Sequence, residues 1–115
     1  MTSEREICFG DDGILLSSPI WLDGTIVNFI RTDIQRSPSY CLELLGVIRK
    51  IRTGELSSWG GVGNAYDIEI GVEGVVIREE WADHPSVARL SLDQLESTIV
   101  AWHAYLQSQG INPDQ

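Results

Sequence analysis

Lysine is almost missing from this chain: Lys50 is the only one among 115 residues. The basic total is eight, against seventeen acidic side chains and a net charge of −9. That shortage argues against nucleic-acid binding, because phosphate contacts need Lys and Arg. Cysteine is scarce as well. Cys8 and Cys41 have no metal-ligand spacing, so two buried free thiols are expected, with a disulfide disfavoured in a reducing compartment. No apolar run reaches the length of a membrane span. The opening MTSEREICFGDD is charged where a secretory signal would be apolar. Together these absences point to the cytoplasm, with no membrane contact, no metal and no cofactor.

What is present suits one folded domain spanning residues 1–115. The hydrophobic fraction is 43% and there are four tryptophans, so a core can form without a disulfide framework. Charge is spread unevenly. Residues 1–52 hold six basic and seven acidic side chains, whereas residues 53–115 hold only Arg78 and Arg89 against ten acidic ones. Such an acidic half keeps a protein in solution. It also suits a basic protein partner.

The chain is organised around Trp59–Trp81. Tyr66, Ile68 and Ile70 alternate with Asp67 and Glu69, the mark of a strand with one dry face. Gly71–Gly74 makes a turn and Val75–Arg78 resumes as a β-branched run. The register places Ile70 opposite Val75, Ile68 opposite Ile77 and Asp67 opposite Arg78. One face is then aliphatic and the other charged. A lone hairpin is unstable in water, so other elements must cover the aliphatic face.

Elsewhere, Glu6–Leu16 reads as a second hairpin around Gly10-Asp11-Asp12-Gly13, whose aspartates suit a solvated turn better than a calcium loop. Ile20–Arg36 is ambiguous. The stripe Ile26, Ile30, Ile34 favours helix, while Thr25–Thr32 is also compatible with a strand. Ser37-Pro38 opens a helix carrying Leu42, Leu45, Ile48 and Ile51, which stops near Gly54 with Arg49, Lys50 and Arg52 in its last turn. Residues 82–86 read as a polar loop. Ser91 and Gln94 form a capping box for a final helix with the stripe Leu92, Leu95, Ile99, Trp102, Leu106, leaving 110–115 as a frayed tail. The predicted fold is α+β, a small antiparallel sheet of two hairpins with helices on one face, in the order ββααββα.

Signals for catalysis are weak. Gly60-Gly61-Val62-Gly63-Asn64 precedes a strand, whereas a phosphate-cradling loop follows one and opens a helix. Backbone roles fit better: Gly61 and Gly63 permit close approach, Trp59 packs over the loop and Asn64 fixes the start of the strand. His84 lies in an acidic loop and His103 on the last helix, with no partner placed to complete a site. Glu79 and Glu80 are adjacent on a strand, point to opposite faces and do not converge. On the predicted register, Glu80 and Arg78 share the outer face with Asp67 and Glu69, an acidic surface with one cation.

Two segments carry a resemblance. GELSSWGGVGNAYDIEI and SLDQLESTIVAWHAYL, with the hairpin between them, resemble small bacterial immunity proteins of polymorphic toxin and contact-dependent inhibition systems, over roughly residues 38–108. In these proteins a Trp/Gly segment ending in Asn-Ala leads into a strand, and the closing helix carries Leu and Trp. The matching residues here are Trp59, Gly61, Gly63, Asn64 and Trp102, in structural roles. The resemblance implies a non-enzymatic inhibitor of a cognate toxin, often a nuclease with a basic active site, and transfers neither catalytic nor binding residues. Charge supplies the candidate partner-binding set: Asp67, Glu69, Glu79, Glu80 and Asp83. The alternatives are a module that forms a homodimer through a sheet edge or through Trp21, Trp81 and Tyr105, and a small hydrolase built on His84.

Overall fold

In the computed structural model, which describes residues 6–111, the alternating stretch forms two antiparallel strands, β4 (Tyr66–Gly71) and β5 (Gly74–Glu79). Their register is the one the alternation dictates: Ile70 faces Val75, Ile68 faces Ile77 and Asp67 faces Arg78. Gly71 pairs with Gly74, so the turn between them is the two residues Val72 and Glu73. Tyr66, Ile68, Ile70, Val75 and Ile77 are buried. Each fully buried aliphatic side chain contributes about 1.5–3 kcal/mol relative to exposure, and this face is the floor of the core.

Two further strands extend the pair. β3 (Ser58–Val62) adds to β4 and β6 (Val87–Leu90) adds to β5, giving an antiparallel meander in the order β3-β4-β5-β6. The glycine-rich run is therefore itself a strand. Trp59 and Gly61 lie opposite Ile70 and Ile68 on the dry face. β6 supplies buried Ala88 and Leu90 to the same face.

Three helices cover that face, so the α+β layering is as expected. α1 (Gly24–Phe29) starts where the Asp23 carboxylate accepts the Ile26 N–H at 3.1 Å, and it runs into a π-helical turn, Ile30–Ile34. Residues 24–34 are helical, with Ile26, Ile30 and Ile34 buried. α2 (Pro38–Thr53) is capped by Ser37 and ends at Gly54, whose φ is 84°. Its dry stripe is Cys41, Leu44, Ile48 and Ile51, while Leu42 is exposed and Leu45 half-buried. Arg52 leaves the end of α2 to bind Asp93 and Glu96 of α3 (Leu92–Ser108), the latter at 2.9 Å. That ion pair clamps the two helices, a use beyond the helix-end role expected for the cluster. α3 opens with the Ser91/Gln94 capping box and buries Leu95, Ile99, Trp102 and Leu106.

The first hairpin forms a separate ribbon. β1 (Cys8–Phe9) and β2 (Leu15–Ser17) pair across a register shift, with a 3-10 turn at Asp11–Gly13. It docks on α3 through Phe9, whose ring stands edge-on to Trp102 at 4.9 Å. Cys8 is exposed, against expectation, because this short ribbon covers only one of its faces. Cys41 is buried, and burial pushes its thiol up to about 11. At the far end Gly110 takes a φ of 78° and the Ile111 N–H reaches Leu106 O at 3.0 Å, closing the helix. The expected fraying otherwise falls on residues 112–115, which lie outside the described residues, as do the first five of the twelve in the charged opening. No helix among the described residues is long and apolar enough to cross a membrane.

Candidate protein-binding surface

The wet face of the sheet follows from the register. Paired residues share a face, so one row reads Val62, Asp67, Arg78, Val87 and the next Gly60, Glu69, Val76, Arg89. Negative charge sits on β4 and positive charge on β5 and β6. β6 brings Arg89 to this face, so the surface is split into an acidic half and a basic half; the expectation of one internal cation missed β6.

The acidic half is a strip along β4: Glu80 at one end, Asp67 and Glu69 on the strand, Glu73 in the turn. Arg78 Nη1 stands 3.8 Å from Asp67 Oδ1, close enough for attraction but too far for a hydrogen bond. The Glu80 N–H donates to Ala65 O at 2.8 Å, which sets its carboxyl group beside Asp67. A hydrogen bond to Asp67 holds the Glu80 carboxyl group above its usual range. Burial and repulsion from Asp67 add to the shift, while Arg78 opposes it. Glu69 and Glu73 belong to no ion pair among the described residues. Both line a shallow hollow of about 390 Å³ floored by Gly60, Gly71 and Gly74, where absent side chains leave the carboxylates uncovered.

Three of the five predicted binding residues, Asp67, Glu69 and Glu80, meet in this strip. Glu79 does not: it pairs with Tyr66 and its carboxylate accepts the Ser86 N–H at 3.3 Å, on the other side of the sheet. The period-two rule that separates it from Glu80 also removes it from the acidic set. Asp83 stands exposed in the loop between β5 and β6, as does His84. Glu73 was missed, although the register already put it at the tip of the turn. Of the aromatics suggested for a dimer, Tyr105 is buried beside Phe9 of the β1–β2 ribbon, and Trp21 is half-buried against the core. Only Trp81 is open, 90% exposed with a φ of 64°. No three His, Cys, Asp or Glu side chains converge as metal ligands among the described residues.

Gly63, Asn64 and Trp102 of the structural set meet residues 32–35, at the end of the π-helical turn. The Asp33 carboxylate accepts the N–H groups of Ala65 (2.9 Å) and Tyr66 (3.1 Å). Asn64 Nδ2 donates to Thr32 O at 2.8 Å, and Trp102 Nε1 donates to Gln35 O at 2.7 Å. A Cβ at Gly63 would collide with the Asp33 carboxylate, and one at Gly61 would lie 2.7 Å from the Trp59 ring. At Gly63 the Asp33 carboxylate is held by two hydrogen bonds, so close approach selects glycine there, whereas at Gly61 a side chain would displace the Trp59 ring. This junction fastens the β3–β4 turn to the helical layer. It also forms one wall of a groove of about 680 Å³, with Trp59, Tyr40, Arg36 and Glu43 around it. Asp33 carried no signal in sequence, because its partners lie 32 and 33 residues away.

No family model matches the chain, and neither a curated protein nor a solved structure does.

Proposed function

We propose that this chain is a non-enzymatic binding protein of the immunity type, which neutralises a basic protein toxin by covering its cationic surface. The observation that carries the reading is the strip of Asp67 and Glu69 on β4, Glu73 in its turn and Glu80 just past the end of β5, which among the described residues forms one ion pair, with Arg78 at 3.8 Å. Clustered like charges repel one another, so a cationic partner gains by relieving that repulsion. It also gains in association rate through steering. The Trp59–Asn64 and Trp102 resemblance supports the same reading, as does a cytoplasmic setting in which Cys8 and Cys41 stay free.

The test is co-expression with the product of the neighbouring reading frame. The reading expects growth rescue and a stoichiometric complex whose association slows as salt rises. A neighbour unrelated to any toxin, with no rescue, would overturn it. One observation favours a second reading, a self-assembling module: Trp81 is 90% exposed. Sedimentation separates the two, since a stable homodimer that shields Trp81 from a fluorescence quencher supports assembly.

A further inference from the structure

We propose that the free edge of β3 takes up an extended, lysine- or arginine-bearing segment of a partner protein as a fifth strand. The inference deepens the binding reading above and rests on it. Hydrogen bonding alternates along an antiparallel pair. The Gly63 N–H bonds Tyr66 O at 2.9 Å, so Gly63, Gly61 and Trp59 turn their backbone groups toward β4. Ser58, Gly60 and Val62 therefore turn theirs away, and none of them bonds to another described residue. All three are exposed, Val62 at 76%.

Sheet edges are normally guarded by a charge, a proline or a bulge. β3 reads Ser-Trp-Gly-Gly-Val and has none of these. Instead, hollows flank it on both faces, and Trp59 borders each. Side chains of an added strand alternate between faces. One set would enter the outer hollow beside Glu69 and Glu73, which selects cations. The other set would lie along Trp59, Tyr40 and Glu43 in the helix-side groove. A second copy of this chain fits less well: its own β3 offers no cation, and both copies carry −9. The β6 edge is unsuited to a basic strand because Arg89 stands on it beside Arg78.

The probe is a short peptide alternating lysine and threonine, titrated at low salt into the isotope-labelled full chain, with a glutamate–threonine peptide as control. The lysine peptide should shift the amides of Ser58, Gly60 and Val62 and slow their exchange, and the glutamate peptide should not. Gly60→Pro removes an outward N–H and leaves the β4 ladder intact; a Cβ there meets nothing nearer than 3.9 Å. It should weaken binding by several-fold, up to about tenfold, on the order of one lost hydrogen bond, while Val87→Pro on the other edge leaves affinity unchanged. Should Gly60→Pro not fold, N-methylating alternate amides of the peptide makes the same cut in the ligand. Equal binding by the native chain and Gly60→Pro, or by the native and methylated peptides, overturns strand addition but leaves the acidic strip standing. Insensitivity to Glu69→Gln with Glu73→Gln overturns both. Self-association of the chain that Gly60→Pro abolishes assigns the edge to a second copy and also overturns the proposal.

Discussion

The two edges of the sheet are built on different plans. β6 is four residues long, buries Ala88 and Leu90, carries Arg89 outward and passes straight into the capping box of α3. β3 carries no charge, has two adjacent glycines and exposes every second residue. One edge is guarded by chemistry, the other is bare but fastened at its end by Asp33. A bare edge held in place pays less ordering entropy on binding than a loose one. An unguarded strand can therefore serve recognition, where a floppy one would invite aggregation.

The largest expected effect comes from cutting that fastening. Asp33→Ala leaves the Ala65 and Tyr66 N–H groups without their charged acceptor, and we expect a loss of about 3 kcal/mol. A urea unfolding series checks the size. Hydrogen exchange checks the place, since residues 59–63 should open while β6 keeps its protection. Within β3, Gly63→Ala should cost roughly 1–3 kcal/mol by overpacking against Asp33. Gly60→Ala, with open space around its new Cβ, should change stability by less than about 0.5 kcal/mol. Equal effects from the two substitutions would show that close approach is not what selects glycine here.

The same contrast explains what the sequence could disclose. The register of β4 and β5 was legible, because Tyr66, Ile68 and Ile70 against Val75 and Ile77 leave one pairing that buries them together, although both strands run on into the glycines read as turn. The α3 cap and stripe were legible for the same reason: local signals agreed with burial. β3 was hidden because Gly60 and Gly61 carry no side chain to mark a period, and glycine propensity reads as loop. β6 was hidden because four residues hold too short an alternation. The acidic strip was visible in part. Asp67, Glu69 and Glu80 follow from β4–β5 alone, but Arg89 arrives with β6 and limits the acidic surface to one half. Asp33 and Gln35 act on Ala65, Tyr66 and Trp102 only after the chain has folded, so no local pattern announces them.

Smaller effects sharpen the comparison. Ser91→Ala removes the N-cap just after β6 and should cost about 1 kcal/mol in thermal or urea unfolding, with β3 exchange unchanged. Glu80→Gln tests the strip through pH. The folded-state value of Glu80 is raised above the ordinary 4.5, so the folded chain binds more protons than the unfolded chain between the two values. Its contribution to stability is full below the ordinary value and is lost as pH rises through the raised one. Unfolding midpoints of the native chain should fall across that window, and those of Glu80→Gln should fall less. Parallel profiles would show that the Asp67–Glu80 contact does not hold a proton.

The most direct test is amide exchange, residue by residue, along β3 in the dilute, unliganded chain. An open edge predicts fast exchange at Ser58, Gly60 and Val62, with slow exchange at Trp59, Gly61 and Gly63. Protection of all six alike would mean that the edge is already covered, which contradicts the account.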